Sequence, residues 1–264
     1  MNSKNIFIWI KKFTPVFVSL VYQNYKRKKK VNLYHGDKII CPVCGLKFEK
    51  FAPFGKRMNA CCPNCGSLDR QRLLWLFLNE KTDLFTDKKI RLLHFAPEKG
   101  FYYNFITFPN IEYTPCDYTP WMYRYDRKNK LIKVDVTNIP FEENTFDVII
   151  CNHVLEHVVD DALAMSELHR VLKKDGWAIL QVPIDYNRET TYEDFTITSP
   201  KEREKAFGQY DHVRYYGKDY KSKLEKAGFK VSVDDYGKSL SSENLQRNGI
   251  ELESSELIYY CKKY

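Results

Sequence analysis

At 264 residues the chain is long enough for one full domain and a small module, and 44% hydrophobic and 15% aromatic content excludes global disorder. The net charge of +8 is unevenly placed: residues 1–30 hold eight Lys or Arg and no acid, residues 31–70 carry +3, and the rest carries −3. An acidic body behind a basic front speaks against nucleic-acid binding over the whole surface. Five of the eight cysteines lie between Cys41 and Cys65, which favours a reducing, cytoplasmic setting over a disulfide framework.

In residues 1–30, Ile6, Trp9, Ile10, Phe13, Phe17, Leu20 and Val21 recur at helical spacing, and Lys26-Arg27-Lys28-Lys29-Lys30 follows. The uncharged stretch from Phe13 to Tyr25 is thirteen residues, short of the roughly 20 that span a bilayer. No small-residue cleavage site follows, so a secretory signal fits poorly. An apolar helix beside a basic cluster suits the surface of an anionic membrane, so the expected placement is peripheral at the inner membrane face. A helix packed on a partner subunit or on the body is the competing reading.

Residues 31–66 hold Cys41-Pro-Val-Cys44-Gly45 and Cys62-Pro-Asn-Cys65-Gly66, two C-x2-C pairs seventeen residues apart. That spacing predicts a zinc ribbon in which Cys41, Cys44, Cys62 and Cys65 bind one structural Zn2+, with Cys61 spare. Phe48, Phe51, Phe54, Lys56 and Arg57 between the pairs are either a glycan or nucleic-acid surface or the buried face of a small ribbon. Residues 67–89 predict a packed connecting helix, capped by Ser67 and running to about Asn79.

Residues 90–264 read as an α/β body. Ile90 to Phe95, Ile111 to Cys116, Leu131 to Val134, Phe146 to Cys151 and Trp177 to Val182 are apolar, β-branched-rich strands. Asp160 and Asp161 offer an N-cap to a helix that Gly176 would close. Phe229 to Val233 and Leu257 to Cys261 would add an antiparallel pair. Residues 184–212 form a polar insert, the usual makings of a lid or substrate wall. The fold class expected is a Rossmann-like, seven-stranded doubly wound sheet preceded by a small zinc ribbon.

Pro140-Phe141, Phe146-Asp147-Val148, Leu155-Glu156-His157-Val158 and Arg170-Val171-Leu172-Lys173 to Gly176 stand in one order and spacing that resembles the class I S-adenosylmethionine-dependent methyltransferases, type 11-like, from about Ile90 onward. The resemblance implies S-adenosylmethionine as cofactor, with contacts from His94, Phe95, Ala96, Pro97, Glu98 and Gly100 after the first strand. It also implies Asp117 and Tyr118 at the ribose, Asp135 and Val136 at the adenine edge, and Asn152 and His153 on the fourth strand's lip. Only Gly100 keeps a glycine of the family's Gly-x-Gly loop; Ala96 still permits close approach, and Glu98 is placed to pair with the cofactor's ammonium. His153 is the first candidate general base and His212 the second. The whole chain is similar to uncharacterised enzymes associated with bacterial surface-polysaccharide assembly, so the expected acceptor is a sugar, a lipid-linked glycan or another small molecule. The rivals are an rRNA or tRNA base methyltransferase using the ribbon to hold RNA, and a non-catalytic binding module of the same fold.

Overall fold

A computed structural model describes residues 16–123, 130–251 and 256–264. The N-terminal half of the predicted apolar segment, residues 1–15, lies outside the described residues. The chain emerges as a helix, Val16–Leu33, with Lys26, Lys28, Lys29 and Lys30 exposed on it and Arg27 Nη1 donating to Asn64 Oδ1 at 2.8 Å. No described helix is long and apolar enough to cross a membrane.

The ribbon consists of two antiparallel pairs, β1 (His35–Ile40) with β2 (Lys47–Phe48), and β3 (Ala52–Phe54) with β4 (Arg57–Cys61). The body then contributes β5 (Ile90–Phe95), β6 (Ile111–Asp117), β7 (Ile132–Lys133), β8 (Phe146–Asn152) and β9 (Leu172–Gln181). A small pair, β10 (Tyr192–Glu193) with β11 (Arg214–Tyr215), lies in and after the insert, followed by β12 (Lys230–Asp234) and β13 (Ile258–Lys262). Seven strands form one sheet in the order β12-β13-β9-β8-β5-β6-β7, and β13 runs antiparallel to both neighbours. The order reverses between β5 and β8, and a ligand crevice is expected beyond the carboxyl ends of the strands at such a point. The third predicted strand shrinks to Ile132–Lys133, paired with Cys116 and Asp117.

Two local expectations are corrected. The connecting helix is Asp69–Lys81, and Leu68 rather than Ser67 stands at its N-cap, with the Gln71 side chain accepting from Leu68 N at 2.9 Å. The Ser67 hydroxyl is drawn away to Cys41 and Cys65, 3.2 Å from each sulfur. Gly176 does not close the helix, which ends at Val171 and runs straight into β9. A Cβ on Gly176 would lie 2.8 Å from the Asp147 carbonyl oxygen, so the glycine serves a close approach of β9 to β8, where their register shifts.

Ribbon and body share one hydrophobic core. Val43, Phe48 and Phe51 of the ribbon pack in the same cluster as Leu73, Trp75, Phe101 and Trp177. Phe48 and Phe51 are fully buried with rings 5.9 Å apart, and Arg57 pairs with buried Asp69 at 2.9 Å. These aromatics fill a core; of the aromatic and basic residues between the cysteine pairs, Lys47, Lys50, Phe54 and Lys56 remain on the surface. Arg72 is the clasp: it is wholly buried and donates to the carbonyls of Ala60, Ser67, Asn248 and Gly249.

Candidate functional site

A cavity of about 830 Å³ opens beyond the ends of β5, β6 and β8. Its wall includes Phe95, Ala96, Asp117, Tyr118, Asp135, Val136 and His153, seven of the residues expected at the cofactor. Asp117 ends β6, and its Oδ1 accepts from Thr119 N at 2.6 Å and Thr119 Oγ1 at 3.0 Å, while Oδ2 accepts from Tyr123 Oη at 2.6 Å. A carboxylate offers about four lone pairs, so Oδ2 keeps one for a hydroxyl arriving from the cleft. Burial, then the hydrogen bond to Asp117, raises the Tyr123 phenol's pKa, so Tyr123 stays a donor. Asp135 Oδ1 accepts from Thr137 N at 2.9 Å and Thr137 Oγ1 at 2.7 Å, which fixes the turn after Asp135. Ala96 takes φ +45°, a left-handed conformation that glycine adopts more readily, and so turns the chain sharply after β5.

The remaining expected contacts do not reach that wall: His94, Pro97, Glu98, Gly100 and Asn152 are not among its lining residues. His94, in β5, is buried, with Nδ1 3.0 Å from Tyr113 Oη and Nε2 2.9 Å from Glu98 Oε2. Glu98 Oε1 accepts from Asn152 Nδ2 at 3.2 Å, so both carboxylate oxygens are engaged within the protein rather than turned to an ammonium. Burial alone would raise the Glu98 pKa, but the hydrogen bond and charge of His94 outweigh it and hold it below the usual carboxylate range. Gly100 faces the other way: a Cβ there would meet Val43 Cγ1 at 2.8 Å and Cys65 at 3.5 Å. That glycine is required by docking of the ribbon, a partner that the loop's own sequence does not reveal.

On the lip after β8, His153 takes φ +55° and points between two carboxylates, Nε2 3.1 Å from Glu256 Oε2 and Nδ1 3.4 Å from Glu156 Oε1. Burial would lower its pKa, but hydrogen bonds donated to Glu156 and Glu256 prevail and lift it to about 9. Both ring nitrogens face carboxylates, so neither is turned to an acceptor in this arrangement. His212 is buried off the cleft wall, its Nδ1 3.0 Å from the Phe207 carbonyl, and burial lowers its pKa. Glu156 and His157, which the sequence offers only as marks of the family resemblance, are also at the site: the Glu156 carboxylate and the His157 ring gather with His212, and His157 lines the cleft. The available signal was a Glu-His pair on a strand lip with a second histidine in the following insert.

Cys41, Cys44, Cys62 and Cys65 also converge, with Cys41 Sγ 3.6 Å from Cys65 Sγ and Cys44 Sγ 3.7 Å from Cys62 Sγ. Zinc–sulfur bonds of about 2.3 Å in a tetrahedron put sulfurs roughly 3.8 Å apart, so the four thiols fit Zn2+. Gly45 and Gly66 adopt φ +70° and +83°, and their amides return to the Cys41 and Cys62 carbonyls at 2.8 and 3.0 Å. Cys61 stands aside, its sulfur near the Cys62 and Gly66 carbonyls.

Residues 95–180 match the methyltransferase domain family. The chain is 37% identical over 70 residues to the demethylmenaquinone methyltransferase of Streptomyces avermitilis, a match covering 25% of this chain and 30% of that protein. It is 37% identical over 57 residues to the 2-phytyl-1,4-naphtoquinone methyltransferase of Nostoc punctiforme, covering 22% and 24%. The chain thus spans a third or less of the length of these curated relatives. Among solved structures, an S-adenosylmethionine-dependent methyltransferase from Mesorhizobium loti superposes with a TM-score of 0.50 over 72% of this chain and 98% of that one, at 13% identity. The cyclase SpnF superposes with a TM-score of 0.51 over 81% and 86%, also at 13% identity. The same fold thus carries more than one activity. Residues 95–180 thus match the methyltransferase domain family, and the seven-stranded sheet that holds them has the fold of the Mesorhizobium loti enzyme.

Proposed function

We propose that the chain is an S-adenosylmethionine-dependent methyltransferase acting on a hydroxyl of a sugar or lipid-linked glycan at a membrane surface, with a structural Zn2+ in its ribbon. The observation that carries the first part is the cleft over β5, β6 and β8, with Asp117 and Asp135 on its wall. When bound there, the cofactor supplies an electrophilic methyl group on a sulfonium. Asp117 would accept from the ribose, Val136 would border the adenine, and the left-handed turn at Ala96 would let the backbone approach closely. The protein's task is then alignment and exclusion of water.

Charge supports the acceptor class. Asp117, Asp135, Asp160 and Asp211 all line the cleft, an acidic wall that suits an uncharged acceptor better than a polyanion. The exposed lysines of the Val16–Leu33 helix favour an anionic membrane, where each cation near the surface adds about 1 kcal/mol. A second reading has an apolar quinone as acceptor. It rests on the two relatives' names and on exposed Val159 and Leu163 at the cleft's edge.

One experiment separates these. The full chain is incubated with methyl-labelled cofactor and a membrane extract, and the label is followed into lipid-linked glycan, quinone and RNA fractions. Label in the glycan fraction is expected. Label confined to quinone moves the function to the second reading, label confined to RNA removes the membrane proposal, and no transfer at all favours the non-catalytic module.

A further inference from the structure

We propose that Glu156, His157 and His212 bind one divalent transition-metal ion beside the cleft. The inference rests on the methyl-transfer reading for the ion's use, not for its site. One ligand-capable atom from each residue lies within 4.8 Å of the others. Glu156 is 2% exposed; Oε1 faces His153, but Oε2 is buried without a hydrogen-bond partner among the described residues. A buried carboxylate oxygen left unpaired is unfavourable unless a donor or a cation meets it.

Each imidazole is held at one nitrogen by an outer hydrogen bond. His157 Nδ1 lies 3.2 Å from the Asp211 carbonyl and His212 Nδ1 lies 3.0 Å from the Phe207 carbonyl. A carbonyl only accepts, so each Nδ1 carries a proton, and in the neutral ring Nε2 is the nitrogen whose lone pair can bind a metal. Imidazoles that bind metals are oriented by this same outer hydrogen bond. The scaffold is fixed before any ion arrives. Val213 N donates to the Glu156 carbonyl at 2.9 Å, and buried Arg214 donates to the carbonyls of Leu155, Val158 and Val159. The strand lip and the end of the insert are thereby tied together around the three ligands.

Two nitrogens and one carboxylate oxygen fit Mn2+, Fe2+, Co2+ or Zn2+ better than Mg2+, which prefers oxygen ligands and water. Three protein ligands leave open positions, and His157 and Asp211 border the cleft. The ligand those positions would take is a hydroxyl oxygen of the acceptor, whose proton a bound cation makes easier to lose to water.

The test titrates zinc-replete full chain with Mn2+ alone and follows the loss of the free-ion paramagnetic resonance signal. The ribbon's thiolates compete poorly for Mn2+, so they do not confuse the count. One Mn2+ per chain is expected. His212→Ala and Glu156→Gln should each weaken it roughly 10-fold or more while keeping zinc content and melting temperature near those of the unmodified chain. Using two variants keeps the test alive if one fails to fold. Absence of Mn2+ binding by the unmodified chain, or equal binding by both folded variants, overturns the site. Cofactor affinity measured separately in metal-free buffer keeps the two readings apart. Mn2+ bound without cofactor leaves the site and removes its proposed use; cofactor bound without Mn2+ removes the site and leaves methyl transfer.

Discussion

Cys44→Ser should empty the ribbon of zinc and leave little folded protein. Structural zinc contributes about 10–16 kcal/mol to folding in small zinc modules at pH 7, whereas a whole domain is stable by about 5–15 kcal/mol. The loss would not stay local, because Val43, Cys65 and Phe51 belong to the core that holds Leu73, Trp75 and Phe101. Gly100, at the start of the helix after β5, lies against Val43 and Cys65, so a collapsed ribbon would disturb the loop beside the cleft. Metal analysis should fall from one zinc per chain to none, with soluble yield falling in parallel. Cys61→Ser is the control and should keep its zinc, since the Cys61 sulfur points at backbone carbonyls. Zinc retained at one per chain in Cys44→Ser would overturn the four-ligand assignment.

Arg72→Met should destabilise the protein nearly as visibly by a different route. Met keeps the stem and removes the desolvation cost of a buried charge, which alone would be favourable. Against that, the carbonyls of Ala60, Asn248 and Gly249 lose this donor, the Ser67 carbonyl keeps only the Cys62 amide, and the face of the Phe51 ring loses a cation 4.2 Å from its centre. Unpaired buried acceptors cost about 1–3 kcal/mol each, so even with partial relaxation a net loss of about 3 kcal/mol is expected. For a chain of this size that lowers the melting temperature by roughly 6–12 °C. Thermal unfolding checks it. A shift under about 2 °C would mean that ribbon and C-terminal segment are not clasped by this side chain.

The parts that were legible in the sequence are those whose cause is local. Phe146 to Cys151 announces a buried strand because a parallel strand covered on both faces has no reason to alternate. Asp117 and Asp135 were found because a carboxylate after an apolar strand marks its carboxyl end. The four cysteines were found because ligand spacing is written into the chain. What failed depended on distant partners. Gly100 was read as room for a cofactor, but the space beside it is taken by Val43 and Cys65, more than thirty residues upstream. Glu98 stands where the resemblance implies a partner for an ammonium group, but His94 and Asn152 engage it. Ser67 and Gly176 carry ordinary cap signals, which the cysteine cluster and the contact of β9 with β8 override. Glu156, His157 and His212 were separable only once the insert folded back over the lip.

The central claim is that the cleft over β5, β6 and β8 holds S-adenosylmethionine with its ribose on Asp117, and calorimetric titration of the full chain and of Asp117→Ala tests it most directly. One cofactor should bind per unmodified chain. The substitution should weaken binding by about 1.5–3 kcal/mol, the worth of a hydrogen bond to a charged group, or roughly 10- to 100-fold in Kd. No heat of binding with the unmodified chain, or the same Kd for both proteins, would contradict it.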